Sequence, residues 1–154
     1  MAADAETLVQ AGYHAAEGNV LDIQGFKELF TEDGCFNFAG GESYCGEHLG
    51  DPVLAIAGIM PDVHRELHLV HVIGNVVAIE LSIRGTFTGK FQSPAGVIEG
   101  TGVKFDIPCA DFWYIQNGKI KDFNCHPDND AMFRQMGVKP DFASAVAASA
   151  GAAS

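Results

Sequence analysis

The stretch Val76-Val-Ala-Ile-Glu-Leu-Ser-Ile-Arg84 alternates large apolar side chains with polar or small ones. One face of an extended chain would carry the large apolar side chains, namely Val77, Ile79, Leu81 and Ile83. Because successive side chains of a β-strand point to opposite faces, this alternation predicts a strand with one buried face. A sheet is therefore expected in the second half of the chain.

Turn signals on both sides of this strand predict what flanks it. Gly74-Asn75 is typical of a two-residue hairpin turn, and it connects the strand to an earlier one over Val63–Ile73. Residues 85–91 are expected to continue or bend the strand, and residues 92–102 to form a polar loop because they contain Gly, Pro and Ser.

The rest of the chain predicts the end of the sheet and of the domain. Val103–Gln116 indicates a long strand, which Asn117-Gly118 turns into a last strand over Lys119–Asn124. All these strands would form one antiparallel meander. Asp128–Met136 is expected to close a single domain that spans residues 1–138, and the Ala/Ser-rich residues 139–154 to form a flexible tail because they show no amphipathic pattern.

Helical spacing dominates the first third of the chain. Apolar residues recur at intervals of three and four over Glu6–Gly18. Asp22 is suited to cap a second helix that ends near Thr31–Gly34, before a short strand over Cys35–Phe38. Asp51-Pro52 can open a third helix that ends at Pro61. Helices followed by an antiparallel sheet predict an α+β fold in which the helices cover one face of the sheet.

Composition excludes several classes of function. The 154 residues contain 20 acids against 9 bases, a net charge of −11, so nucleic acid and anionic membrane surfaces are not expected partners. No apolar run reaches the roughly 20 residues that span a bilayer, and the first residues are acidic, so we expect a soluble, cytoplasmic protein. The four cysteines lack CxxC spacing and are expected to be reduced thiols.

Several segments resemble one known family. They are Tyr13-His-Ala-Ala-Glu-Gly18-Asn19, Phe26-Lys-Glu-Leu-Phe30-Thr-Glu-Asp33, Gly85-Thr-Phe-Thr-Gly89, Asn117-Gly-Lys-Ile120 and Pro127-Asp-Asn-Asp-Ala-Met-Phe-Arg-Gln135-Met-Gly137. Together they are similar to the SnoaL-like polyketide cyclases of the nuclear transport factor 2-like superfamily. The resemblance implies a cone-shaped barrel, in which a strongly curved antiparallel sheet wraps around three N-terminal helices and encloses an apolar pocket. It also implies a homodimer.

The residues that carry the cyclases' chemistry are changed in this sequence. Alignment on the Asn117-Gly118 turn places Cys109 and Asp111 where the cyclases carry a Gln and a His. Cys125 stands at the position of their acid/base Asp, and Phe87 at the position of a frequent His. The resemblance therefore predicts a more apolar pocket and does not carry over the usual general acid/base.

Asp111 is the leading catalytic candidate. Ketosteroid isomerases, which resemble this chain through the same superfamily, keep an Asp at the matching strand position, where a protonated carboxyl donates a hydrogen bond to an enolate. Alternation puts Cys109, Asp111 and Trp113 on one strand face, so a concave sheet would bury the Asp111 carboxyl and raise its pKa. An ion pair with Arg65 or Arg84, or acceptance of backbone N–H bonds, would instead make Asp111 structural.

Tyr13 is predicted to stabilise an oxyanion beside Asp111, since superfamily members often present a Tyr from the first helix to the cavity. Its neighbour His14 is included as a substrate contact, although only one of two adjacent residues can face the core and the spacing from Val9 and Ala16 favours Tyr13. The remaining predicted substrate contacts are Cys109, Cys125, Trp113, Phe38, Phe87 and Asp128.

Some of these residues also have a purely structural interpretation. Asp128 is suited to cap the last helix, and the buried cysteines are more typical of pocket lining than of a nucleophile or redox pair. His64, Glu66 and His68 share a strand face but span nearly 14 Å, so no metal site is predicted there.

The function predicted from these residues is cofactor-free acid–base catalysis on a small hydrophobic carbonyl compound of polyketide, steroid or terpenoid type. The reaction would be an isomerisation, a cyclisation or a lyase-type dehydration. A non-catalytic module that binds a small hydrophobic ligand, or serves in assembly, is the open alternative.

Overall fold

The computed structural model describes residues 2–153 and has the predicted mixed α+β architecture. Its helices are α1 (Ala2–Ala16), α2 (Ile23–Glu28), α3 (Asp51–Ile59), α4 (Asn129–Met136) and α5 (Phe142–Ala153), with a 3₁₀ turn over Gly46–His48. Its strands are β1 (Phe30–Phe38), β2 (Ser43–Cys45), β3 (His64–Ile73), β4 (Val76–Thr86), β5 (Lys90–Ser93), β6 (Gly96–Glu99), β7 (Lys104–Gln116) and β8 (Lys119–Pro127).

Six of these strands form a curved sheet in the order β2-β1-β8-β7-β4-β3. The edge strands β2 and β3 do not pair with each other, so the cone is open rather than a closed barrel. β1 runs parallel to β8, with Phe36 opposite Phe123, whereas the other neighbours are antiparallel. The prediction of an entirely antiparallel sheet is wrong at this one pairing. β1 precedes the meander in sequence, and it pairs with β8, the last strand of the meander, in the same direction.

The second helix is shorter than predicted. The Asp22 carboxylate accepts a hydrogen bond from the backbone N–H of Gly25 at 2.9 Å, which confirms the predicted cap. The helix nevertheless ends at Glu28, because Phe30 already pairs with Ile120 of β8. Pairing with a distant strand overrides the local helical pattern here.

The predicted loop over residues 92–102 contains the second half of a hairpin. β5 and β6 pair as a separate two-stranded sheet, and the Ser93 hydroxyl donates to the carbonyl of Gly96 across the turn. Gly89 leads into this hairpin with its N–H bonded to the carbonyl of Ile59 at 3.0 Å. A Cβ at this position would collide with the carbonyl of Gly58, so the close approach requires glycine.

The concave face of the sheet forms the core together with α1. Val77, Ile79, Leu81 and Ile83 are at most 7% exposed, which confirms the predicted alternation of β4. Trp113 of β7 stacks on Phe123 of β8 with ring centroids 3.6 Å apart. Burial of each such large apolar side chain contributes roughly 1.5–3 kcal/mol.

The cysteines differ from expectation in one pair. Cys35 and Cys45 lie directly opposite each other on β1 and β2 and form a disulfide, so the prediction of four reduced thiols is wrong for these two. Spacing along the chain could not show this, because the pairing depends on the register of the hairpin. Cys109 and Cys125 are free thiols and buried.

The C-terminal tail has regular structure. Its Ala-rich sequence forms α5, in keeping with the high helix propensity of alanine. Asp141 caps the helix, because its carboxylate accepts bonds from the backbone N–H and hydroxyl of Ser144. The residues of α5 with described side chains are exposed, and the flexibility and domain limit at residue 138 stay predictions. Among residues 2–153, no helix has the length and apolar character that a bilayer crossing needs.

Candidate functional site

A cavity of about 390 Å³ lies between the helices and the concave face of the sheet. This volume falls in the range of small-molecule sites. Aromatic rings supply much of its wall, among them Phe36, Phe38, Tyr44, Phe91, Trp113 and Phe133. The polar residues on the wall are Tyr13, Glu42, Arg65, Asp111, Cys125 and Asn129. Because Glu42 is also exposed, the cavity reaches the surface at the β1–β2 hairpin.

Asp111 and Tyr13 form a hydrogen-bonded pair on the cavity wall. Asp111 is 2% exposed and Tyr13 6% exposed. The Tyr13 hydroxyl donates to Asp111 Oδ2 at 2.6 Å and accepts from the indole Nε1–H of Trp113 at 3.0 Å. Helix α1 supplies the tyrosine, and alternation along β7 puts the carboxyl and the indole on the same face.

Two thiols complete the surroundings of the Asp111 carboxyl. The Cys109 thiol donates to Asp111 Oδ1 at 3.3 Å, and its sulfur lies 3.8 Å from that of Cys125. Asp111 and Cys125 are directly opposite each other in the β7–β8 register. Among the described residues, no buried side-chain nitrogen or oxygen lacks a hydrogen-bond partner.

Burial governs the protonation of this group. Desolvation raises the pKa of Asp111, although hydrogen bonds from Tyr13 and the two thiols and the charge of Arg65 act in the opposite direction. Burial and the nearby Asp111 carboxylate raise the pKa of Tyr13 far above its ordinary value. The hydrogen bond with Cys109, followed by burial, raises the pKa of Cys125. The cluster therefore favours neutral, proton-bearing groups over a thiolate nucleophile.

The two arginines considered as partners of Asp111 bond to other groups. Arg84 bonds to Asp106 at 3.4 Å, and the Arg65 side chain donates to the carbonyl of Ala16 at 2.8 Å. Neither arginine forms an ion pair with Asp111, and the hydrogen bonds to its carboxyl come from side chains rather than backbone N–H groups. Asp111 is thus a buried carboxyl that has no paired cation among the described residues.

The predicted substrate contacts divide into two groups. Phe38, Trp113 and Cys125 line the cavity together with Tyr13 and Asp111. Cys109 touches Asp111 but does not line the cavity, because its thiol points to the two neighbouring side chains.

The other three predicted contacts do not line the cavity. His14 is exposed, since one residue along a helix rotates the side chain by about 100° from the inward Tyr13. Phe87 is fully buried beside Phe105, beyond the end of β4. Asp128 caps α4 by accepting from the N–H of Ala131 at 2.9 Å, as its alternative interpretation states.

Arg65 and Glu42 also line the cavity. From the sequence, Arg65 was considered only as an ion-pair partner of Asp111, and Glu42 was not singled out. Counting back from the Gly74-Asn75 turn would place Arg65 opposite Arg84, on the outer face. A bulge between Leu67 and Leu69 shifts the register by one residue, so Arg65 lies opposite the inward Ile83. No simple sequence signal marks Glu42, which follows Gly40-Gly41 in a loop.

Metal binding is possible for one group among the described residues. Cys109, Asp111 and Cys125 each offer a ligand atom, and these atoms lie within 4.8 Å of one another. A metal ion would have to displace the protons that the raised pKa values of Asp111 and Cys125 favour. His64, the residue that prompted the metal question in the sequence, instead bonds to Glu17 and Glu66 at 2.8 Å each.

Comparison with known proteins agrees with this architecture. The sequence profile of the SnoaL-like domain matches residues 9–123, which is well over half of the chain. The chain belongs to the SnoaL-like family. The resemblance inferred from the sequence motifs is thereby confirmed, including its place in the nuclear transport factor 2-like superfamily.

Solved structures share the fold of this SnoaL-like domain at low sequence identity. A protein from Jannaschia sp. CCS1 assigned as a SnoaL-like polyketide cyclase is 16% identical, with a TM-score of 0.78, over 90% of this chain and 94% of its own. IdmH from Streptomyces antibioticus, also assigned as a polyketide cyclase, is 20% identical, with a TM-score of 0.73, over 87% of this chain and 99% of its own.

Another solved structure with this fold is named for a different reaction. The LEH-like epoxide hydrolase of M. tuberculosis is 13% identical, with a TM-score of 0.65, over 88% of this chain and 90% of its own. No curated protein sequence matches the chain. At these identities the likeness concerns the fold, and function has to be argued from the cavity of this SnoaL-like domain.

Proposed function

We propose that this SnoaL-like domain is a cofactor-free acid–base enzyme that acts next to a carbonyl group of a small hydrophobic molecule. The observation that carries the proposal is the 2.6 Å hydrogen bond between Tyr13 and the buried Asp111 carboxyl on the wall of an aromatic cavity. A buried carboxyl with a raised pKa in a pocket is a typical acid or hydrogen-bond donor. Isomerisation, cyclisation and dehydration next to a carbonyl can each begin with the loss of an α-proton, and the enolate that forms is stabilised by such a hydrogen-bond donor.

The pair can stabilise a developing enolate oxygen. When Asp111 carries its proton, the carboxyl can donate to the Tyr13 oxygen, and the Tyr13 O–H is then free to donate to the ligand oxygen. The Trp113 N–H holds the Tyr13 oxygen at 3.0 Å and thereby fixes its position. One well-placed oxyanion donor contributes about 2.7–4 kcal/mol of transition-state stabilisation.

Proton abstraction needs a base, and we assign that role to Glu42. Among the described residues, Asp111 and Glu42 are the two carboxylates on the cavity wall, and Glu42 is the exposed one. The Tyr44 hydroxyl donates to Glu42 Oε2 at 2.8 Å and orients the carboxylate. Glu42 would take the α-proton as the C–H electron pair moves to the carbonyl oxygen, and it would later return that proton to carbon.

The experiment measures deuterium uptake by a panel of cyclic and polycyclic ketones in D₂O, using mass spectrometry. The wild-type protein should exchange α-protons of at least one ketone, and Asp111→Asn should slow this exchange by about 100-fold or more. Asp106→Asn is the matched control, because Asp106 lies on the same strand and is exposed. Unchanged exchange in Asp111→Asn would remove Asp111 from the mechanism.

A binding module without catalysis is the second candidate. It is favoured by Cys125, which stands where the cyclases carry their acid/base Asp, and by the aromatic wall. Native mass spectrometry that shows a retained ligand, together with no exchange of any tested ketone, would favour this alternative. The homodimer expected from the family stays a prediction that light scattering can test.

A further inference from the structure

Arg65 is the one cationic side chain on the cavity wall among the described residues. Its Nη1 donates to the carbonyl of Ala16 at 2.8 Å, at the C-terminal end of α1. Among the side chains that the structure describes, its guanidinium has no ion-pair partner and no second hydrogen-bond acceptor. Most of its planar set of donors is therefore unused on a largely apolar wall.

The inward position of Arg65 results from a specific feature of the backbone. The bulge between Leu67 and Leu69 places Arg65 opposite Ile83, which in turn lies opposite Ile107. Ile83 and Ile107 are buried and line the cavity. Without this bulge the charge would lie on the outer face beside Arg84, where water could solvate it.

We propose that Arg65 binds a carboxylate group of the ligand, so that the substrate class is a hydrophobic carboxylic acid. A guanidinium matches a carboxylate through two parallel N–H···O bonds. A partly desolvated cation without a paired anion is costly, and a ligand carboxylate supplies that anion. The net charge of −11 repels anions from the protein as a whole, so selection for an acid must come from this local cation.

Helix capping alone does not account for Arg65. The single N–H bond to the Ala16 carbonyl at the end of α1 could be supplied equally well by a lysine. The remaining guanidinium donors would still have no acceptor among the described residues. A bound carboxylate accounts for both the residue type and its inward register.

The position of Arg65 also constrains the ligand's length. Arg65 is level with Ile107, which precedes Asp111 by four residues on β7, or about 14 Å at 3.4 Å per residue. The long arginine side chain shortens this separation, in keeping with the effect of its charge on the pKa of Asp111. If the carbonyl lies at Asp111, which rests on the proposed function, hydrocarbon separates it from the carboxylate.

The test compares two probes of equal size, 4-cyclohexylbutanoic acid and its primary amide, at pH 7. Trp113 is the only tryptophan and lines the cavity, so its fluorescence reports binding. The wild-type protein should bind the acid about tenfold or more tightly than the amide. Arg65→Gln should abolish this preference, and Arg84→Gln, which removes an exposed charge from the neighbouring strand, should retain it.

Arg65→Lys provides a second variant, because it keeps the charge and loses the planar fork. It should retain part of the preference for the acid. Equal affinity of the wild-type protein for acid and amide would overturn the proposal, as would an unchanged preference in a folded Arg65→Gln protein.

These binding measurements require no turnover and are independent of the proposed reaction. Asp111→Asn should retain the preference for the acid even if it no longer exchanges protons. If the wild-type protein exchanges ketone α-protons but binds the acid and the amide equally, the Arg65 assignment alone is rejected. A clear acid preference without any exchange would reject the enzyme assignment alone.

Discussion

The hydroxyl of Tyr13 lies 2.6 Å from Asp111 Oδ2, across 98 positions of sequence. The contact joins the first helix to the longest strand and places a phenol and a carboxyl at one point of the cavity wall. Burial raises the pKa of both groups, so both tend to keep their protons. The stability and the proposed chemistry of the domain therefore depend on the same pair.

Asp111 should make the stability of the protein depend on pH. Because its pKa is raised by burial, the folded protein binds more protons than the unfolded chain once the pH rises above about 4, the ordinary Asp pKa. The free energy of unfolding should then fall with rising pH until the folded pKa is passed. Asp111→Asn lacks this dependence, so its stability relative to the wild type should increase with pH over that window. Urea unfolding at several pH values measures the difference.

The exposed Asp106 provides the control for this pH effect. Asp106→Asn removes a largely exposed carboxyl from the same strand and so controls for the loss of one negative charge. Parallel curves for wild type and Asp111→Asn would show that the Asp111 carboxyl is not desolvated in solution.

Tyr13→Phe should lower the free energy of unfolding by about 1–3 kcal/mol. The change leaves Asp111 Oδ2 and the Trp113 N–H without their buried partner, while the ring still fills its place. Tyr44→Phe is the matched control, because it removes an exposed hydrogen bond to Glu42. Urea denaturation should show a much smaller loss for Tyr44→Phe, and equal losses would contradict the importance of the buried pair.

Side-chain alternation made much of the site accessible to sequence analysis. The period of two along β7 placed Asp111 and Trp113 on the same buried face, and helical spacing selected Tyr13 over His14. These inferences hold because burial of apolar side chains sets which face of an element is inward. They needed no knowledge of strand pairing.

Features that depend on strand register were not accessible in the same way. The bulge at residue 68 reverses the facing of Arg65, and the opposition of Cys35 and Cys45 exists only once β2 has paired with β1. The pairing of Phe30 with β8 likewise ended a helix earlier than its local pattern indicated. Each of these outcomes is decided by contacts that are distant in sequence.

Glu42→Gln should reduce deuterium exchange of a responsive ketone by about 100-fold or more, because the amide cannot accept the α-proton. The wall of the cavity is otherwise unchanged, so binding measured by Trp113 fluorescence should be retained. Glu47→Gln is the control, since Glu47 is an exposed acid shortly after the hairpin and does not line the cavity. Exchange that is equally fast in Glu42→Gln would assign the base to another group.

The Cys35–Cys45 disulfide should stabilise the cavity wall as well as the fold. It closes the β1–β2 hairpin, which carries Phe38, Glu42 and Tyr44. A cross-link over a loop of this length restricts the unfolded chain and contributes about 3 kcal/mol. A phosphine reductant should therefore lower the unfolding midpoint in urea and weaken binding of the cyclohexylbutanoic acid probe. The double variant Cys35→Ser/Cys45→Ser should show both losses without reductant and no further response to it. Thiols should also be titrated after unfolding under non-reducing conditions. If two thiols titrate and the reductant has no effect on the wild-type protein, the disulfide is present but does not contribute to stability. Four titratable thiols would show that the disulfide does not form.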